Sequence, residues 1–223
     1  MHQRTFITST GTGIGKTFIT AALARQAKAL GKSVAAFKPV ISGFDPLKPG
    51  ESDAGVLLRA LDLPLTPDNI QHVSPWRFAA PLAPTMAARL EKRELKFNEI
   101  LAHGQLAMQG PQDTVLIEGV GGVMAPLADQ HTIVDLIQEL GIEAVLVTGS
   151  YLGTISHTLT ALSVLVMRRI PVFAVIVNET PESTVSLAAT VEEFSRWTRL
   201  PIVAVTRQKE KNAEIKELRA LLT

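Results

Sequence analysis

The chain has 223 residues, 46% of them hydrophobic, with 22 Lys and Arg set against 21 Asp and Glu, and it contains no cysteine. That length and apolar content suffice for one large buried core, read as a single α/β domain over residues 1–223. A formal net charge of +1 with no basic run or stripe removes the electrostatic case for nucleic acid. The lack of cysteine excludes disulfide frameworks, thiolate metal sites and cysteine nucleophiles, and it agrees with a reducing cytoplasm.

Short β-branched, near-continuously apolar runs recur along the chain: Thr5–Thr8, Val34–Phe37, Val115–Ile117, Ala144–Val147, Val172–Val177 and Ile202–Val205. Strands of that kind are buried on both faces, which is the habit of a parallel sheet. Helical patterns alternate with them over Thr17–Leu30, Phe97–Met108, Thr132–Leu140, Ile155–Met167 and Ser183–Trp197. The alternation predicts right-handed βαβ crossovers and a doubly wound, mostly parallel sheet with helices on both faces. Two irregular stretches interrupt it: Phe44–Ser52, rich in Pro and Gly, and Leu63–Thr85, whose Pro64, Pro67, Pro75, Pro81 and Pro84 forbid a long helix. Both read as binding loops or lids.

The terminal segment Lys211–Leu222 places Ile215, Leu218 and Leu222 on one side and mixed charges on the other, which predicts a packed helix, not a membrane-surface one. No secretory leader is expected, because only a few apolar residues follow Arg4. The longest apolar stretch, Leu159–Met167, is about half the ~20 residues needed to span a bilayer. A mean hydropathy of +0.21 is high for a lone soluble chain and predicts apolar surface covered by a partner subunit.

Directly after the first strand stands Ser9-Thr10-Gly11-Thr12-Gly13-Ile14-Gly15-Lys16-Thr17. Glycines at a strand-to-helix turn let several backbone N–H groups converge on one anion. The following helix contributes its positive end, Lys16 a full charge, and the Thr17 hydroxyl a ligand for Mg²⁺. The usual pattern asks for glycine five positions before Gly15; this chain has Thr10 there.

In open parallel sheets ligands bind beyond the carboxyl ends of the strands. There the second strand ends in Lys38-Pro39-Val40-Ile41-Ser42-Gly43, the third in Glu118-Gly119-Val120-Gly121-Gly122, and the fifth in Asn178. A lysine, a carboxylate and an amide are thus delivered to one edge beside the phosphate site. Glu118 suits Mg²⁺, direct or through water. Asp53 reads either as a metal carboxylate or as a helix N-cap. Asn178 reads either as a turn residue or as an amide matching a nucleobase edge. The histidines His2, His72, His103, His131 and His157 show no ligand spacing.

Taken together, Thr10–Thr17, Lys38–Gly43, Ser52-Asp53-Ala54, the Phe78…Pro81…Pro84 spacing, Glu118–Gly122 and Leu152–Leu159 resemble, in order, the motifs of the dethiobiotin synthetase family. The resemblance implies a P-loop fold and an ATP-dependent ligase of biotin biosynthesis. Its substrates would be diaminopelargonate, CO₂ and ATP, with Mg²⁺ as cofactor and a carbamate phosphorylated on the way to ring closure. It implies catalytic roles for Lys38, Lys16 and Thr12. Nucleotide contacts would come from Gly13, Ile14, Gly15, Lys16, Thr17, Phe18, Asp53, Glu118, Gly119, Val120, Gly121, Asn178 and Glu179.

Substrate contacts are implied for Ser42, Lys38, Gly153 and Ser156, and Mg²⁺ ligation for Thr17, Asp53 and Glu118. A cytoplasmic homodimer is implied as well, with the substrate's carboxylate tail at the subunit interface near Gly149–Ser156. The chain departs from the family pattern at Ser156, where asparagine is usual, at Tyr151 and Thr85, and in lacking Ile-Pro near Thr206-Arg207-Gln208. A positioning ATPase of the ParA/MinD kind shares the expected fold, but its signature lysine would fall at Gly11.

Overall fold

A computed structural model describes residues 2–128, 130–207 and 215–222. In chain order the elements are β1 (Gln3–Ser9), α1 (Lys16–Ala29), β2 (Val34–Phe37), β3 (Val40–Ser42), α2 (Asp53–Ala60), α3 (Pro67–Val73), β4 (Trp76–Phe78), α4 (Pro84–Leu90) and α5 (Phe97–Met108). There follow β5 (Thr114–Glu118), β6 (Pro126–Ala128), β7 (His131–Thr132), α6 (Ile133–Leu140), β8 (Glu143–Gly149), α7 (Thr154–Met167), β9 (Val172–Asn178), α8 (Leu187–Trp197) and β10 (Ile202–Val205). A short 3₁₀ turn, Lys216–Leu221, comes last.

Among the described residues the main sheet runs β10–β9–β8–β1–β5–β2, with every pairing parallel. Side chains alternate across a strand, so neighbouring residues feed opposite layers. Phe6, Ile117, Leu146 and Val175 pack with α5, α6, α7 and α8. Their neighbours Ile7, Leu116, Val145 and Ile176 pack with α1, α2 and α3. All five residues of β5 are buried, as a strand covered on both faces requires. The fold is the P-loop type of doubly wound α/β sheet, as the sequence pattern predicts.

The order turns about β1. The chain leaves it outward through α1 to β2, returns by β5, and then crosses to β8 and β9 on the other side. The carboxyl ends of β1, β2, β5, β8 and β9 therefore share one edge, where the phosphate loop opens.

The structure refines several expectations. The proline-rich stretch 63–85 is not one loop: Pro67 and Pro84 each open a short helix, where a missing N–H costs nothing. Its β4 pairs in parallel with β3 as a small separate sheet. The helix expected from Ser183 begins at Leu187, because Ser186 caps it by accepting from the Ala189 N–H. Of the expected terminal helix, residues 211–214 lie outside the described ones; the remainder is the 3₁₀ turn, with Leu218 and Leu221 buried. No helix among the described residues is long and apolar enough to cross a membrane.

Candidate active site

The phosphate loop is held at several points by hydrogen bonds and close packing from the rest of the chain. Gly13 and Gly15 sit at φ of 74° and 93°, the left-handed region that glycine enters freely. At its start, the Thr10 N–H donates to the Val147 carbonyl at 3.1 Å. Further along, the Asn178 amide Nδ2 donates to the Ile14 carbonyl at 2.9 Å. Gly15 is also a close approach: a Cβ there would lie 2.3 Å from Asn178 Nδ2.

Asn178, expected to face a nucleobase, thus commits one of its two amide N–H groups to the loop. Glu179 continues this tie, its carboxylate accepting from the Arg207 N–H at 2.7 Å where β10 ends. Gly119, expected among the nucleotide contacts, is buried beneath the β5 exit, where a Cβ would meet the Phe6 ring at 2.9 Å.

Lys16, the first residue of α1, bends back over the loop. Its Nζ donates to Ser9 Oγ at 3.0 Å and to the Gly11 carbonyl at 3.1 Å. Burial, followed by the like charge of Lys38, lowers its pKa to about 8, partly offset by Glu118 and Asp53. Ser9 opens the loop run read from the sequence, but nothing there assigns its hydroxyl a role.

Four elements bring a compact ionic cluster together. The Lys38 ammonium, just past β2, pairs with Asp53 at the start of α2. It lies 2.8 Å from Glu118 Oε1 at the end of β5, and it donates to Thr17 Oγ1 of α1 at 3.2 Å. The Thr17 hydroxyl donates in turn to Glu118 Oε1 at 2.6 Å. Burial works against the Lys38 charge, but Glu118 and Asp53 outweigh it and hold the ammonium above the ordinary lysine value. Burial likewise works against the Asp53 charge, yet Lys38 prevails and keeps its carboxyl below the usual range. The N-cap of α2 is Ser52, whose Oγ accepts from the Gly55 N–H at 3.2 Å. Asp53 is therefore the first helical residue, free to face the cluster, and its reading as a cap is set aside.

The set Thr17, Asp53 and Glu118 also fits a hard divalent cation. All three offer oxygen, and Glu118 Oε2 is buried with no hydrogen-bond partner. No cluster of three His, Cys, Asp or Glu that could hold a metal occurs among the described residues, so these residues would hold such a cation only together with oxygens from elsewhere.

A cleft of about 580 Å³ opens above this cluster, lined by Thr12, Gly13, Gly15, Lys16, Thr17, Phe18, Lys38, Ser42 and Asp53. Val120–Gly122 form one wall and Pro81–Pro84 another, so the proline-rich stretch does serve the site. Ser42 Oγ is buried without a partner. Glu118 lies behind Lys38, not on the cleft surface. Gly153 and Ser156 sit elsewhere, at the start of α7. Gly153 is its N-cap at φ 96°, and Ser156 is exposed.

A family model described as "AAA domain" matches residues 3–213. The chain is 44% identical over 208 residues to the ATP-dependent dethiobiotin synthetase BioD of Phenylobacterium zucineum, covering 92% of this chain and 89% of that one. It is 47% identical over 175 residues to the protein of the same name from Caulobacter vibrioides, covering 78% of each. Among solved structures, the septum site-determining protein MinD of Pyrococcus horikoshii, complexed with Mg-ADP, aligns with a TM-score of 0.58 at 16% identity over 99% of this chain and 95% of that one. A ParA family ATPase from Chlorobium tepidum aligns with a TM-score of 0.55 at 16% identity, covering 99% and 90%. At those identities the two solved structures share the fold and no more.

Proposed function

The chain belongs to the family of ATP-dependent dethiobiotin synthetases, ATP-dependent ligases of biotin biosynthesis, and we propose that it makes dethiobiotin through a phosphorylated carbamate. One amine of 7,8-diaminopelargonate attacks CO₂ and loses a proton to give a carbamate. A carbamate oxygen attacks the γ-phosphorus of ATP and the bond to the β-phosphate oxygen breaks, releasing ADP. The second amine then attacks the carbonyl carbon, phosphate leaves, and the ureido ring closes with loss of another proton.

The observation that carries this reading is the meeting of Lys16, Lys38 and the unpartnered Ser42 hydroxyl in one cleft. Phosphoryl transfer depends mostly on positioning and on charge placed where it develops. Lys16 and the loop N–H groups hold the phosphates. Lys38 meets charge on the transferring phosphoryl and carbamate oxygens, Thr12 borders the same space, and Ser42 orients the carbamate. Thr17, Asp53 and Glu118 would hold Mg²⁺, which supplies charge neutralisation at the phosphate oxygens. Asn178 and Glu179 border the adenine side.

The chain acts as one domain within a cytoplasmic homodimer, with the substrate carboxylate received at the N-terminus of α7 around Gly153 and Ser156, where an anion is favoured. The test supplies the purified protein with diaminopelargonate, bicarbonate and Mg-ATP and measures the products. Dethiobiotin and phosphate are expected in equal amounts. ATP hydrolysis that ignores the diamine and responds to DNA or lipid would overturn the reading in favour of a positioning ATPase.

A further inference from the structure

Between the phosphate loop and α7 lies a small set of threonine hydroxyls. Thr148 Oγ1, fully buried at the end of β8, lies 3.2 Å from Thr10 Oγ1 of the loop, 2.9 Å from Thr154 Oγ1 and 2.9 Å from Thr158 Oγ1. Thr154 and Thr158 belong to the first turns of α7, and both are buried. The Thr154 hydroxyl donates to the Gly149 carbonyl at 2.7 Å.

Each hydroxyl has one proton, so the directions are fixed. Thr154 has given its proton to Gly149, and Thr148 must therefore donate to Thr154. Thr158 donates to Thr148. With its own proton spent, Thr148 can only accept from Thr10. The result is one polarised chain, Thr10 to Thr148 to Thr154 to the Gly149 carbonyl, with Thr158 feeding its centre. Hydrogen bonds aligned in this way strengthen one another in a low-dielectric interior.

We propose that Thr148 and Thr10 are positioning residues for the nucleotide. Their hydrogen bond fixes the first turn of the phosphate loop to β8 and α7, so the cradle stands ready before the phosphates arrive. The packing explains why the side chain matters. On its other side the loop start is crowded by Gly122, where a Cβ would lie 3.1 Å from the Thr10 carbonyl and 3.2 Å from the Gly11 nitrogen. The loop start is thus held from both flanks, by a glycine that permits contact and by a hydroxyl that makes one. Thr10, the residue that breaks the usual glycine pattern, is the handle for this tie. A preformed cradle binds with less ordering cost than one that must be assembled.

The experiment is calorimetric titration of the full chain with Mg-ADP, beside thermal unfolding without nucleotide. Thr148→Val and Thr10→Val are each expected to weaken ADP by about tenfold, roughly the worth of one lost hydrogen bond. The double variant is expected to be no weaker than either single one, because both remove the same interaction. Thr148→Ser, which keeps the hydroxyl, is expected to restore binding to within about twofold.

Thr158→Val is the decisive comparison. It removes a buried hydrogen bond from the same hub on the α7 side, so it is expected to lower Tm as Thr148→Val does while leaving ADP affinity unchanged. Equal weakening of ADP by Thr158→Val and Thr148→Val would reduce the cluster to a packing feature and overturn the proposal. Unaltered ADP affinity in Thr10→Val would overturn it too, and that variant carries the test even if Thr148→Val fails to fold, since Thr10 is only partly buried. The proposal rests on the loop's holding nucleotide. Failure of the unaltered protein to bind Mg-ADP would remove that reading first.

Discussion

The two ends of the proposed active site are made from different materials. At the phosphate loop, Lys16, Lys38 and Glu118 are buried charged groups delivered by α1, β2 and β5, and each is tied to a neighbour within hydrogen-bond reach. At the start of α7 the polar groups are backbone amides and neutral side chains: Gly153 and Ser156 are exposed, and Leu152 is 84% exposed. The charged end is over-determined, and its groups cost desolvation that only mutual pairing offsets. The α7 end holds its shape through one left-handed glycine and the threonine hub beneath it. On the proposed function, chemistry that moves charge would sit on rigid strand ends, whereas recognition of the substrate tail would be left to an open helix terminus.

The contrast breaks hardest at Lys38. Lys38→Ala is expected to lower turnover by about 10²–10³-fold, the size of effect seen when one group facing developing charge is removed. Mg-ADP affinity is expected to stay within a few-fold, because the charge matters mainly in the transition state. Phosphate release in single turnover and calorimetry with ADP separate the two. Turnover near that of the unaltered protein would mean that the buried ion pair is structural and that the charged end is no more catalytic than the other.

The α7 end is sharpened by Gly153→Ala. At φ 96° the alanine side chain is strained by about 1–2 kcal/mol. The strain falls on the N–H groups proposed to meet the carboxylate, so the KM for the diamine is expected to rise about tenfold. ADP affinity and kcat with saturating diamine are expected to hold. A fall in ADP affinity of similar size would show that the two ends are not separable, and that α7 reaches the nucleotide through Thr154 and Thr148.

Much of the charged end is legible in the sequence because its residues announce themselves: Lys38 before a proline at a strand end, Glu118 before glycines, and the loop itself. The parallel sheet is legible for the same kind of reason, since runs such as Val172–Val177 have no polar face to offer water. What escapes is whatever works by contact between distant neutral groups. Nothing local in the sequence says that Asn178 holds the Ile14 carbonyl or that Ser9 accepts from Lys16. Nor does it say that Thr10 reaches Thr148, 138 residues away. The Ser52 cap is legible in principle, because Ser52-Asp53-Ala54-Gly55 offers serine ahead of aspartate. The neighbouring carboxylate is the more conspicuous cap candidate, yet the hydroxyl takes the Gly55 N–H.

The smallest expected effect concerns what supports Lys38 from behind. Phe37, the residue before it, meets His72 and His103 edge-on at ring separations of 5.3 and 5.8 Å. His103 also lies 5.8 Å from Trp76, and its Nε2 is buried without a partner. Burial, and then the neighbouring His72, hold the His103 pKa below the ordinary value of about 6.5. The unfolded chain therefore binds more protons than the fold once the pH drops below that ordinary value. Stability is complete above it and is lost as the pH falls through it toward the lower folded value.

Thermal unfolding between pH 7.5 and 5 is expected to show a decline that begins near pH 6.5, and His103→Phe is expected to flatten it. An acid decline unchanged in that variant would place its origin elsewhere. The acid response thus reports on the packing behind the charged end, where His103 meets Phe37, the residue that precedes the lysine.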